Sequence, residues 1–270
     1  METVRTSFLI ILLSLSLSSF QQKEGYSKIT DRDKFNLGEE LQFDLGYGWF
    51  TLGKADLKVA NTLVPLDNKS CYEVEIKGRT TGLLGTFSKV DDAWGGFVDH
   101  ESMLPLSAYA DLQEGKYQRK EDIQYDYETG EIRIDMIKRQ KPKPTKYYPI
   151  EEELYDLISG YLKIRNLDYS NMNIGDTVKF KAFYDEIYYD LGVLYEGIET
   201  VKTPVGKLKA HRIIPIIPKN KIFTGTNPIV AWISADPNQL PLKIEANMFF
   251  GHAFVELTNY KNIKYGPNFN

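Results

Sequence analysis

The stretch Glu40-Leu-Gln-Phe-Asp-Leu-Gly-Tyr47 decides the fold class, because its apolar and polar residues alternate. Leu41, Phe43 and Leu45 fall on one side of an extended chain, and the polar residues between them fall on the other. A period of two with one apolar face predicts a half-buried β-strand.

The same alternation recurs along the rest of the sequence. It is found in residues 55–59, 71–77, 123–127, 131–136, 178–183, 207–213 and 243–248. Residues 128–130 read as a hairpin turn between two of these runs. The 18 tyrosines and 14 phenylalanines suit pleated surfaces. About a dozen strands with short polar turns predict an all-β protein, a large antiparallel curved sheet that forms a sandwich or a barrel-like structure.

One segment breaks this period and predicts a central helix over residues 151–165. Its apolar residues Leu154, Leu157, Ile158, Tyr161 and Leu162 follow the spacing of an amphipathic helix. Three glutamates would occupy its first turn and two basic residues its last, which suits the helix dipole. No flexible linker separates the flanking β-rich halves, so residues 36–265 are expected to form a single domain.

Composition excludes several classes of function. The net charge is -4 and the pI about 5.6, so no global positive field exists to hold nucleic acid. With a single cysteine, Cys71, neither an internal disulfide nor a cysteine-rich redox centre can form. No motif for a cofactor or a catalytic metal is present. We favour an inert thiol for Cys71.

The N-terminus has the order of a secretory signal peptide. Arg5 precedes an apolar core, roughly residues 8–17, which is too short to cross a bilayer. We expect cleavage after Ser19, a polar leader over 20–35, and a soluble mature chain without a transmembrane segment. The protein is therefore expected to be exported, and to be periplasmic or associated with the outer membrane.

Several stretches over roughly residues 36–262 carry a resemblance to a known family. They include residues 38–43, Asp91-Asp-Ala-Trp94, the helix ending in Arg165, and Ile229-Val-Ala-Trp-Ile-Ser-Ala-Asp236. In these the chain resembles an exported bacterial family, domain of unknown function family 3108. The resemblance implies an all-β envelope protein and no established activity. Its general look is similar to periplasmic lipoprotein-carrier folds, whose curved sheet wraps apolar ligands.

Asp91, Asp92, Asp99 and His100 form the densest group of acids and histidine. Two of the aspartates are candidates for the carboxylate pair of a glycoside hydrolase. The group could also supply oxygen ligands to calcium. The alternative, which we favour, is solvated acids at strand ends, with Asp99 accepting backbone hydrogen bonds.

Four residues are candidates for contact with a ligand: Arg165, Asp99, Trp94 and Trp232. A buried arginine must be paired, so Arg165 either staples the helix to a sheet carboxylate or faces an anionic ligand. The staple is the favoured interpretation. The two tryptophans more often belong to a core or a rim than to a ligand platform. A basic run at 138–146 is interpreted as a solvated loop, with anionic headgroups or polysaccharide as its alternative partner.

Taken together, the sequence favours a binder over an enzyme. The expected ligand is a lipid or another amphipathic envelope component, held in the cavity of a curved sheet closed by the helix. The alternatives are a glycan hydrolase that uses paired aspartates and a structural adaptor in the envelope.

Overall fold

The computed structural model describes residues 33–82, 89–217, 225 and 227–266. In these ranges the chain forms seventeen β-strands, one α-helix and one short 3-10 helix. The strands are β1 Glu40–Tyr47, β2 Phe50–Val59, β3 Val64–Leu66, β4 Lys69–Thr80, β5 Asp91–Asp99, β6 Pro105–Glu114, β7 Tyr117–Asp126, β8 Glu131–Lys138, β9 Lys141–Pro142, β10 Lys146–Pro149, β11 Leu154–Tyr155, β12 Thr177–Tyr184, β13 Ile187–Thr203, β14 Gly206–Ile216, β15 Ile229–Ser234, β16 Pro241–Asn247 and β17 His252–Lys261. The helix α1 is Leu157–Arg165, and the 3-10 turn is Tyr169–Asn171.

Backbone pairing joins the strands into one sheet. Its order is β12, β13, β14, β15, β16, β17, β1, β2, β4, β5, β6, β7 and β8, and all of these neighbours are antiparallel. β3 extends β4, β9 and β10 pair with β8, and β11 runs parallel to β12. The first and last strands meet at the centre of this order, so the two halves of the chain share a continuous sheet.

The sheet curves until its two edges come near each other. Within the described ranges no backbone pairing joins these edges, so the sheet is not closed. Side chains cross the gap instead. The Tyr188 hydroxyl donates to the carbonyl of Pro149 at 2.6 Å, and the Tyr148 hydroxyl donates to Glu186 at 2.7 Å. The prediction of an all-β fold with one helix and a large curved antiparallel sheet is confirmed, as one open sheet.

The helix begins six residues later than predicted, at Leu157 instead of Glu151. Leu154–Tyr155 pairs with β12 as a short parallel strand, so the preceding glutamates lie outside the helix. Asp156 starts the helix with a capping box: its carboxylate accepts from the Ser159 amide at 2.7 Å, and the Ser159 hydroxyl accepts from the Asp156 amide at 2.9 Å. The reciprocal bonds satisfy two amides that a helix end leaves without partners.

The curved sheet surrounds α1. Five of its nine residues are buried and the other four are half-buried, so the helix lacks the fully exposed polar side of the predicted amphipathic helix. Ile158 and Leu162 belong to the main buried cluster, which includes residues of β1, β2, β4, β5 and β17. Leu157 packs on Trp94 in a smaller cluster.

The predicted signal peptide, residues 1–19, lies outside the described residues, as does most of the leader at 20–35. The leader residues that the structure describes contact the fold. Phe35 is a core residue, and the Tyr72 hydroxyl donates to the Asp33 carboxylate at 2.7 Å. The leader therefore ends as part of the packed domain and is not loose up to residue 35.

In the part of the chain that the structure describes, no helix is both long and apolar enough to cross a bilayer.

Candidate functional site

A cavity of about 140 Å³ lies between α1 and the inner side of the sheet. It is enclosed by strands β1, β2, β4, β15, β16 and β17 on one side and by Leu157 and Tyr161 of the helix on the other. The residues that line it are Phe43, Leu45, Gly46, Ala55, Leu57, Ile76, Leu157, Tyr161, Ile229, Pro241, Ile244, Ala246, Ala253, Phe254 and Val255. Tyr161 is the one polar side chain in this set. An apolar lining of this kind suits apolar molecules.

Small residues keep the cavity open. Ala55, Ala246 and Ala253 point inward where larger side chains would fill the space. Gly46 lies opposite Phe254 across the β1–β17 pair, and a Cβ atom at Gly46 would lie 2.0 Å from the Phe254 ring. The glycine therefore leaves room for the aromatic ring over the strand.

A fully buried ion pair fixes the C-terminal end of α1. Arg165 and Glu39 have side-chain exposures of 1% and 0%. Both carboxylate oxygens of Glu39 accept from the guanidinium, one of them at 2.9 Å from Nη2. Arg165 also donates to the carbonyls of Asn238 and Lys34. This two-pronged geometry is specific to arginine.

The same network reaches the polar atom of the cavity lining. Nη1 of Arg165 donates to the Tyr161 hydroxyl at 3.1 Å. Burial raises the pKa of Tyr161 to about 12, so its hydroxyl is neutral at physiological pH. Because this oxygen already has a protein partner, the cavity offers its occupant an almost entirely apolar surface.

A second, smaller cavity of about 60 Å³ lies on the other side of Leu157, which lines both. Its lining includes Trp94, Tyr125, Asp156 and Arg119. One oxygen of Asp156 and the hydroxyl of Tyr125 have no hydrogen-bond partner among the described residues. This cavity is thus more polar than the first, and half-buried Leu157 contributes to the walls of both.

Of the predicted site residues, Trp94 is the one that lies beside a cavity. It points inward from β5 and packs against Leu157. Trp232 alternates along β15 with Ala231 and with Ile229, which lines the larger cavity, so it lies on the opposite face of the strand. Its indole donates to Glu199 at 2.6 Å. Contact of either tryptophan with a ligand stays a prediction.

Asp99 ends β5 and is held within a turn. Its carboxylate accepts from the Ser102 hydroxyl at 2.7 Å, from the Glu101 amide at 3.2 Å and from Lys69 at 3.4 Å. Burial works against the charged form, but the bonds from Ser102, Glu101 and Lys69 together hold the pKa of Asp99 below its usual value. The bond from the Glu101 amide fits the backbone hydrogen bonding that the sequence favoured for Asp99, but the side chain is buried and not a solvated acid.

The aspartates do not form the carboxylate pair of a glycoside hydrolase. Asp92 and Asp99 stand at opposite ends of β5, about 23 Å apart along an extended chain, whereas such pairs are about 5–9.5 Å apart. Asp91 and Asp92 are adjacent in the strand and point to opposite faces. Burial, opposed by a hydrogen bond from the Gln113 amide, raises the pKa of Asp92 to about 6.

The remaining candidates stay dispersed. Cys71 is fully buried, and burial raises the pKa of its thiol. His100 packs against the Tyr72 ring with ring centres 5.2 Å apart. Among the described residues, no three acidic, histidine or cysteine side chains converge as metal ligands. The basic run contains β9 and the start of β10, and its side chains are mostly exposed.

Sequence reasoning missed the residues that line the larger cavity. Their signal was present in the alternating strands, as small residues at inward positions: Ala55 in β2, Ala246 in β16 and Ala253 in β17. It also missed two aromatic pairs in turns, Trp49-Phe50 and Phe249-Phe250, which are exposed.

Solved structures match this chain at low sequence identity. A β-barrel-like protein of domain of unknown function DUF1849 from Brucella abortus superposes with a TM-score of 0.55 and 9% identity, over 85% of this chain and 100% of that one. A Bacteroides fragilis protein described as exported, with a YmcC-like fold, has a TM-score of 0.31 and 13% identity over 85% and 99%. A Parabacteroides distasonis protein described as a lipoprotein has a TM-score of 0.31 and 15% identity over the same shares.

No curated protein matches the sequence. A family model described as a protein of unknown function, DUF3108, matches residues 42–258. This match runs from β1 to β17 and contains the helix and both cavities. It covers most of the chain, and the chain therefore belongs to the DUF3108 family.

Proposed function

We propose that this protein binds the apolar part of an amphipathic component of the cell envelope and does not transform it chemically. The observation that carries the proposal is the apolar cavity beside α1. Burying an apolar group there removes its surface from water, which contributes about 25 cal/mol per Å². A cavity of similar size engineered into another protein holds a benzene-sized molecule, so a short length of acyl chain is the expected occupant.

The polar surroundings fit an amphipathic ligand better than a plain hydrocarbon. Leu157 lines both the apolar cavity and the smaller one, whose lining includes Arg119, Glu121 and Asp156. A ligand that displaced the Leu157 side chain would place its apolar end beside Phe254 and its polar group near these residues. The N-terminal pattern supports an exported protein, so the envelope is where such a ligand would be met.

The test is the binding of a fluorescent fatty-acid analogue to the purified protein. Ala253→Leu adds three carbons to the wall of the cavity and should weaken binding at least about tenfold, because the space for the ligand is reduced. Thr200→Leu introduces the same leucine at an exposed position of β13 and should leave binding unchanged. Equal affinity in both variants and the natural protein would place the probe elsewhere and refute the proposed site.

A further inference from the structure

Two neighbouring turns carry exposed aromatic side chains at one rim of the sheet. Trp49 lies in the turn after β1 and Phe50 begins β2, and their exposed fractions are 92% and 71%. Phe249 and Phe250 connect β16 to β17 and have exposed fractions of 69% and 77%. Large apolar side chains are seldom exposed in adjacent pairs on a soluble surface, and such patches mark sites of interaction.

The two turns form one continuous surface. β1 and β17 are paired, with Tyr47 opposite Ala253, and the Gly48 amide donates to the His252 carbonyl at 2.9 Å. The rings of Phe249 and Phe250 meet edge to face with centres 4.8 Å apart. We call Trp49, Phe50, Phe249 and Phe250 the aromatic rim.

The aromatic rim is free of formal charge. Neither residues 45–53 nor residues 246–255 contain an Asp, Glu, Lys or Arg, in a chain of which 26% is charged. Strand direction places other turns at the same end of the sheet, and these carry charges: Glu114 and Lys116 flank one, Arg139 lies in a second, and Asp185 and Glu186 form a third. Of the described turns at this end, those of the aromatic rim can therefore leave water without desolvating a formal charge.

The aromatic rim lies directly beside the apolar cavity. Gly46 and Ala246 line the cavity and precede the two turns by a few residues, and Ala253 and Phe254 line it just after the second turn. An acyl chain that entered or left the cavity past these strand ends would cross the aromatic rim.

We propose that the aromatic rim inserts into the interface of a lipid bilayer and so places the cavity at the membrane surface. Tryptophan and phenylalanine favour this region, where an apolar body meets a wet headgroup layer. Protein interfaces combine aromatic side chains with arginine, and residues 45–53 and 246–255 contain no arginine. The inference rests on the proposed function, since the cavity supplies the reason for docking.

Tryptophan fluorescence tests the insertion directly. The other two tryptophans, Trp94 and Trp232, are buried, so a change on adding vesicles reports on Trp49. With vesicles of phosphatidylethanolamine and phosphatidylglycerol, the emission should shift to shorter wavelength, and lipids brominated on the acyl chain should quench it. The response should persist in vesicles of phosphatidylcholine alone and in high salt, because insertion does not depend on charge.

The double variant Phe249→Ser and Phe250→Ser keeps Trp49 as the reporter and should weaken vesicle binding at least about tenfold. The control is Ile187→Ser, which removes a 51% exposed apolar side chain beside the charged turn of Asp185 and Glu186 and should change nothing. Binding that is equal in the double variant and the natural protein would overturn the proposal.

The same variants separate this inference from the proposed function. The double variant should still bind the fatty-acid analogue in the absence of vesicles, and Ala253→Leu should still bind vesicles. If the analogue fails to bind while vesicle binding is intact, the cavity is refuted as a ligand site. The aromatic rim would still stand as a membrane-binding surface. Self-association that the double variant abolishes, without any vesicle binding, would show a contact between copies of the chain and refute insertion.

Discussion

The change Arg165→Met should destabilise the fold by about 3–5 kcal/mol. It removes the only cation that the described structure places on Glu39, a carboxylate with 0% exposure. Breaking a buried ion pair on one side costs this much because the remaining charge stays buried without compensation. The carbonyl of Asn238 also loses the donors it has in Arg165, which adds about 1 kcal/mol or more. For a domain of this size, 1 kcal/mol lowers Tm by about 2–4 °C.

The assay is urea unfolding followed by far-UV circular dichroism, with thermal unfolding as a second readout. Arg133→Met is the matched control, because Arg133 pairs with Asp135 at the surface and such pairs contribute about 1 kcal/mol or less. The double variant Glu39→Leu and Arg165→Met should be more stable than the sum of its single changes predicts, since no charge is left alone. Loss of stability in Arg165→Met no larger than in the control would refute the staple and make Arg165 a candidate for anion binding.

Three further changes test the packing and the titration of the fold. Ile158→Asp should destabilise by more than about 3 kcal/mol, because it places a charge in the main core, while the same change at the exposed Ile174 should cost far less; similar urea midpoints for both would mean that the inner face of α1 is assigned wrongly. Burial raises the pKa of Asp92 from 3.8 to about 6. The protonated carboxyl therefore stabilises the fold fully below about pH 4, and this contribution is lost as the pH rises through 6. Asp92→Asn should therefore flatten the fall in stability between pH 4 and 7, by up to about 3 kcal/mol, and parallel pH profiles would contradict this. Gly46→Ala should cost about 1–3 kcal/mol because its Cβ meets the Phe254 ring, and Phe254→Leu in the same chain should recover part of that loss; no cost in the single variant would show that the ring moves freely.

Much of the fold follows from local pattern. The alternation in residues 40–47 specifies a strand with one buried face, and the same period identified β4, β7, β8 and β14 without any knowledge of their partners. The pairing register of the strands and their order in the open sheet could not be predicted in this way. They depend on pairs distant in sequence, such as β1 with β17, which no local period encodes.

The start of the helix was misplaced because two signals compete in the sequence. Three glutamates at 151–153 suit the first turn of a helix, but Asp156 and Ser159 have the spacing of a capping box and determine where α1 begins. A serine at the third helical position is a weaker sequence signal than the usual glutamate. Pairing of Leu154–Tyr155 with β12 then holds the preceding residues extended.

The cavity could not be predicted because it is a property of packing. Its walls come from six strands and a helix, and the alternating pattern gives the direction of each side chain but not the space between them. The partner of Arg165 was hidden for a related reason, since Glu39 lies 126 residues away in the sequence. The expectation that this arginine needs a carboxylate came from its chemistry, and only the fold identifies which one.

Native mass spectrometry of the full-length chain, purified from an exporting host without detergent, tests the central claim most directly. The account predicts a bound species whose mass is that of an amphipathic lipid, released on unfolding and depleted in Ala253→Leu but not in Thr200→Leu. Protein recovered at its bare mass, with no bound species in the natural chain and none taken up from added fatty acid, would contradict the claim that the cavity beside α1 is a ligand site.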